Sequence, residues 1–184
     1  MRISDIPFNM EILVDGSLKE RPGDFDEMRK GIDFILAKVD QEESRAVRAS
    51  LHSLSGKYLR IVNQLDDSEG QLIHAFEDFR ELELFVPAVI AKFRLGLTYL
   101  YQERFSKADD FLKKALESSL KSKDKHLIKL IDHVYFALGL SKLWQKNAEE
   151  AEKLFSECLE LRIVKGDLAL ISICEKALVY VAAV

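Results

Sequence analysis

Leu95-Gly96-Leu97-Thr98-Tyr99, followed by Ala108, Leu112 and Ala115, decides how this chain is read. The pattern returns as Leu138-Gly139-Leu140-Ser141-Lys142, followed by Ala151, Phe155 and Cys158. In both copies the first small residue lies 12 positions after the glycine, and the second glycine falls 43 positions after the first. Two helices approach closely only where small side chains meet at the crossing and large apolar ones fill the space beside it. One such constellation predicts a helical hairpin, and its recurrence predicts a stack of them. A stack of hairpins presents a binding surface rather than a catalytic pocket.

Apolar periodicity extends the pattern in both directions. Asp24 caps a helix running to about Val39, with Met28, Ile32, Ile35, Leu36 and Val39 as its stripe. Ser44 starts a second helix that ends near Leu65, and Ser68 is expected to cap a third. Pro87 suits the start of a fourth helix, where its missing N–H is not needed. Ser106 is expected to cap the fifth and Asn147 the seventh. Gly166 and Asp167 read as a left-handed stop followed by a new cap. The expected organisation is a lead-in over 1–22 and a repeat domain over 23–184. Its hairpins lie near 44–85, 87–120 and 125–164, and a final helix spans 168–182. Pro7, Asp15-Gly16 and Pro22-Gly23 break the lead-in, where Ile12, Leu13 and Val14 form a short strand or a helical turn. No strand alternation of useful length is present, so the predicted class is all-α.

Bulk composition agrees. The 184 residues are 48% apolar and 32% charged, with three prolines, which suits a mostly helical globular domain. A net charge of −4 with no basic face argues against nucleic acid as partner. No run approaches the roughly 18 apolar residues of a membrane span. Cys158 and Cys174 sit in apolar helical patterns and read as buried thiols of a reducing compartment, so the expected location is cytoplasmic.

On these residues the chain resembles the tetratricopeptide repeat family. Leu95-Gly96-x-x-Tyr99 is similar to the family's first-helix element, and Ala108 with Leu112 to its second-helix element. The copy at 134–160 has Lys142 in place of the tyrosine and Cys158 in place of the later alanine. Weaker copies flank both. Leu54-Ser55-Gly56-Lys57-Tyr58 is read with Ser55 as the small residue, paired with Ala75 and Phe79 across a longer hairpin. The spacing exceeds the family's usual period of about 34, as in the longer-repeat arrays of bacterial regulators. The resemblance implies a right-handed superhelical stack of antiparallel hairpins, an α-solenoid, whose first helices line a concave face.

The resemblance places Phe93, Leu97 and Tyr101 of one hairpin in the groove, and Phe136, Leu140 and Trp144 of the next, with His133 extending one end. Each trio follows an i, i+4, i+8 spacing and so shares one helix face. A trough of this kind takes an amphipathic helix or an extended apolar segment. Some family members instead grip a C-terminal carboxylate with Lys, Asn and Arg. Those types are missing at the matching positions, and Arg60 and Arg94 are the nearby cations. Three alternatives stay open: the rings are core, residues 1–22, with Ile6, Phe8, Met10, Ile12 and Leu13, fill the trough, or the final helix folds against the array.

The expected function is a protein-interaction scaffold for a peptide or partner helix. The alternative is an oligomerisation or sensor unit of a larger regulatory assembly, acting through the apolar end of the last helix. There Leu178, Tyr180 and Val181 are the expected contacts of a homodimer. No catalytic residues, cofactor or metal are expected. The four histidines form no ligand set, no Cys-x-x-Cys or Gly-rich phosphate loop occurs, and Glu149-Glu150-Glu152 reads as a solvated helix start.

Overall fold

In the computed structural model, which describes residues 3–183, the helices among the described residues are α1 (Phe25–Gln41), α2 (Arg45–Ile61), α3 (Leu65–Glu81), α4 (Phe85–Tyr101), α5 (Phe105–Leu120), α6 (Lys125–Trp144), α7 (Ala148–Lys165) and α8 (Leu168–Ala182). Met1 and Arg2 of the expected lead-in and Val184 of the expected array lie outside the described residues. Each helix packs on the next, and the first helices of successive hairpins also touch, α2 with α4 and α4 with α6. The architecture is the predicted helical stack. None of the described helices is long and apolar enough to cross a membrane.

Local chemistry sets the helix ends. Asp24, Ser44, Asn147 and Asp167 accept hydrogen bonds from the backbone N–H three residues on, as expected of caps. Gly166 takes the left-handed conformation, with φ 73°. Four other connections share one geometry without glycine. Asn63, Glu83, Glu103 and Lys146 have φ of 63°, 56°, 59° and 63°. The residue after each donates back into the helix just ended: Gln64 N to Leu59 O, Leu84 N to Phe79 O, Arg104 N to Tyr99 O and Asn147 N to Lys142 O, at 2.8–2.9 Å. These closures satisfy carbonyls at the helix end and turn the chain within a few residues.

This geometry corrects several expected boundaries. Ser106 lies inside α5, which begins at Phe105, and Pro87 is the third residue of α4, still within the turn whose amides lack helical partners. Ser68 is not a cap. It is a fully buried interior residue of α3, and its Oγ donates to Gly56 O at 2.8 Å and meets Thr98 Oγ1 at 2.9 Å.

The small residue of the first copy is therefore Gly56, not Ser55. A methyl group on Gly56 would stand 2.6 Å from Leu72 Cγ, one on Gly96 2.8 Å from Leu112 Cγ, and one on Gly139 2.6 Å from Phe155 Cε1. From each glycine, 12 positions lead to Ser68, Ala108 or Ala151, and 16 lead to Leu72, Leu112 or Phe155. Three hairpins thus share one crossing, and the first needs no lengthening.

The lead-in departs from all-helical structure. A single 3-10 turn (Ile3–Asp5) is followed by strands β1 (Ile12–Val14) and β2 (Glu20–Pro22), paired antiparallel with Leu13 opposite Arg21. Ile6 and Met10 pack with Met28, Ile32 and Ile35 of α1 and Tyr58 of α2, so this stretch covers the first helices of the stack.

Candidate functional site: the concave groove

Six of the expected groove residues, Phe93, Leu97, Tyr101, His133, Phe136 and Leu140, line one cavity of about 150 Å³. Trp144 stands beside it, its ring edge-on to Tyr101 with centroids 5.6 Å apart. The α4 and α6 crossings aim these side chains the same way, because each trio keeps a constant offset from its glycine. Leu140 is buried, His133 is exposed, and the other five are half-buried. Loss of water around its ring lowers the pKa of the His133 imidazole, and Arg162 and Lys165 add to this against the pull of Asp132 and Glu20.

The same cavity is closed on one side by the chain itself. Val14, Leu18 and Glu20 of the hairpin line it on that side, and Arg162 of α7 with Leu170 and Ile173 of α8 line it as well. Leu18 is 5% exposed and shares an apolar cluster with Leu95, Tyr99, Leu140 and Leu143. Glu20 N donates to Tyr101 Oη at 2.7 Å, and Lys19 Nζ lies 4.8 Å from the centre of the Trp144 ring. The hairpin tip is fixed by Asp15, whose Oδ1 accepts from Ser17 N, Ser17 Oγ and Lys19 N, while Oδ2 accepts from Arg21 Nε. Burial opposes ionisation there, but these bonds outweigh it and hold the Asp15 carboxyl well below the usual range.

Beyond the apolar trios the groove turns cationic. With Gly56 as the small residue, the offsets that give Phe93-Leu97-Tyr101 and Phe136-Leu140-Trp144 give Ser53, Lys57 and Ile61 on α2. Lys57 takes the place of Leu97 and Leu140. Arg60 and Arg94 stand with it. Arg60 Nη2 donates to Glu20 Oε2 at 2.5 Å, its guanidinium lies 4.7 Å from the centre of the Tyr101 ring, and Arg94 Nη1 donates to Ser53 O and Oγ, both at 2.8 Å. Burial, then repulsion from Arg94 and Arg60 against the pull of Glu20, pushes Lys57 down to about 8. Burial, then Arg60, pushes Arg94 down to about 10. Sequence reading singled out Arg60 and Arg94 but missed Lys57, because a register set on Ser55 hides its groove position.

A second buried network lies at the far end. Asp132 accepts from Arg162 Nε at 3.0 Å and from Lys165 Nζ. Arg162 Nη1 also donates to Leu170 O at 2.9 Å and approaches Cys174 Sγ at 3.2 Å. It ties α6, α7 and α8 together at the wall of the groove, where Arg162 and Leu170 line the cavity and the Arg162 guanidinium lies 4.7 Å from the centre of the Phe136 ring. Cys158 and Cys174 are buried free thiols with sulfurs 3.1 Å apart. Of the residues expected in an oligomer contact, Tyr180 is 44% exposed, Leu178 is half-buried on the central core, and Val181, at 5%, belongs to that core. Its place on the inner face of α8 removes Val181 from the surface. Among the described residues no three His, Cys, Asp or Glu side chains come together as a metal site requires.

The tetratricopeptide repeat family model matches residues 90–121, from within α4 to just past α5. Among solved structures, BtubC (BKLC) from P. vanneervenii is similar, with a TM-score of 0.59 and 14% identity over 88% of this chain and 74% of that one. At this identity the likeness is one of fold. No curated protein matches the sequence.

Proposed function

We propose, for a chain whose residues 90–121 match a tetratricopeptide repeat, a role as an interaction module that docks a peptide or partner helix in the concave groove. The observation that supports this best is the convergence of Phe93, Leu97, Tyr101, Phe136 and Leu140 on one cavity, with Trp144 beside it. Aromatic side chains bury large areas at small entropic cost and dominate binding where they cluster. The groove offers apolar contact, ring packing and charge pairing, which is the chemistry of adhesion rather than of bond making. Two free thiols suit the reducing cytoplasm.

The test is selection of groove-binding peptides from a random displayed library on the purified full chain. Phe93→Ala and Trp144→Ala are expected to weaken the selected peptides at least about tenfold while the variants still melt cooperatively. Unchanged affinity refutes the groove, and collapse of the circular dichroism signal reassigns these residues to the core.

A second reading, association of two copies through the α7–α8 end, is favoured by Ile163, Val164, Leu168 and Val179, all exposed. Light scattering over a concentration series decides it: a mass that stays monomeric removes it.

A further inference from the structure

Lys57, Arg60 and Arg94 meet where α2 faces α4, and the carboxylate bonded to Arg60 comes from outside the helices, from Glu20 of the hairpin. Arg60 is 2% exposed, yet its Nη1 has no hydrogen-bond partner. Arg94 is bonded to the neutral oxygens of Ser53. Buried charge is tolerated when paired, and one acid among three cations leaves the cluster short of negative charge. Burial alone would raise the Glu20 carboxyl, but Arg60 first, then Lys57 and His133, hold it below its usual range. The surroundings therefore favour an anion at this position.

The acid arrives on a strained carrier. Leu18 has φ 64°, a left-handed conformation disfavoured for any residue with a side chain. Its side chain is nevertheless buried among groove residues of α4 and α6. The hairpin so sets an apolar and an acidic side chain two positions apart, one in the apolar end of the groove and one in the cationic end. It does not fill the groove, since about 150 Å³ remain between it and the helices. A competing segment can gain contacts that the hairpin lacks.

This inference rests on the groove being a docking site and names what docks. We propose that the groove recognises a protein segment carrying an apolar residue two positions before an acidic one, and that Ile12–Pro22 is the chain's own copy of that ligand, seated through Leu18 and Glu20 until a partner replaces it. The grading from Leu97 and Leu140 to Lys57 along the stack fixes which end of the groove takes each of the two side chains.

The test uses the full chain carrying L18A/E20A and, as probe, a fluorescein-labelled peptide of residues 12–22 followed by anisotropy. The variant is expected to bind the probe at least about tenfold more tightly than the wild type, whose groove is already occupied. Probes carrying L18A or E20Q should lose about tenfold or more against the same variant. Trp144 is the chain's single tryptophan and lies under Lys19, so its emission should shift in the variant and return as the probe binds. Equal affinity of wild type and variant, or indifference to both probe substitutions, overturns the proposal. If library peptides still need Phe93 and Trp144 in that case, the groove stands and only its ligand is wrong; if neither library peptides nor the probe bind, both fall. Should L18A/E20A lose its helical signal, Glu20→Gln in the full chain keeps the side chain's size and removes its charge. A smaller gain in probe binding is then expected, and no gain overturns the proposal.

Discussion

One added methyl group at Gly70 and one at Gly139 should move stability in opposite directions. Both glycines lie inside helices, α3 and α6, so alanine removes the same backbone entropy at each and gains about 1 kcal/mol of helix propensity. At Gly70 nothing lies within 4 Å of the new atom, and the gain is realised in full. At Gly139 the methyl would stand 2.6 Å from Cε1 and 2.7 Å from Cδ1 of Phe155. That ring is fully buried and packs against Phe136 at 5.3 Å, so it has no room to retreat. Overpacking of this kind costs about 1–3 kcal/mol, which outweighs the propensity gain and leaves Gly139→Ala about 1 kcal/mol less stable than wild type. The two variants should differ by about 2 kcal/mol, or about 4–8 °C in melting temperature for a chain of this size. Thermal melts followed by circular dichroism, with urea titrations to check that the slope is unchanged, measure the gap. If Gly139→Ala stabilises as much as Gly70→Ala, the close crossing is not what makes glycine necessary there.

Two further outcomes follow, one from a buried ion pair and one from an exposed turn. Asp132→Asn should cost about 3–5 kcal/mol, because it strands the buried Arg162 guanidinium without its counter-charge. Burial pushes Asp132 up, but His133, Lys165 and Arg162 hold it below its ordinary range. Its stabilising effect is then complete above the unfolded value of about 4 and is lost as pH falls through the lower folded value. Wild-type melting temperature should therefore fall with acid below about pH 4, and the Asp132→Asn variant should lack that part of the decline. Glu103→Gly should stabilise by about 0.5–1 kcal/mol in urea titrations, since relief of the left-handed φ of 59° exceeds the added entropy of the unfolded chain; destabilisation would show that the Glu103 side chain contributes more than its backbone strain costs.

The helical stack was legible from the residues alone. Asp24, Ser44, Asn147 and the Gly166-Asp167 pair mark helix ends through bonds to residues one turn away, and such local contacts leave a readable signature. The spacing from Gly96 to Leu112 and from Gly139 to Phe155 was equally legible, because a helical hairpin repeats its contacts at fixed separations. Packing between distant segments settled the rest. Ser55 and Gly56 are both small and both helical, and only the approach of Leu72 selects the glycine and so puts Lys57 in the register of Leu97 and Leu140. Ser68 has the composition of a cap, yet its partners, Gly56 and Thr98, belong to the crossing helices. Glu20 meets Arg60 across 40 residues, and Asp132 meets Arg162 across 30. Charge pairs at such separations carry no periodicity, so which cation each acid meets is set by how the hairpins stack and not by any local rule.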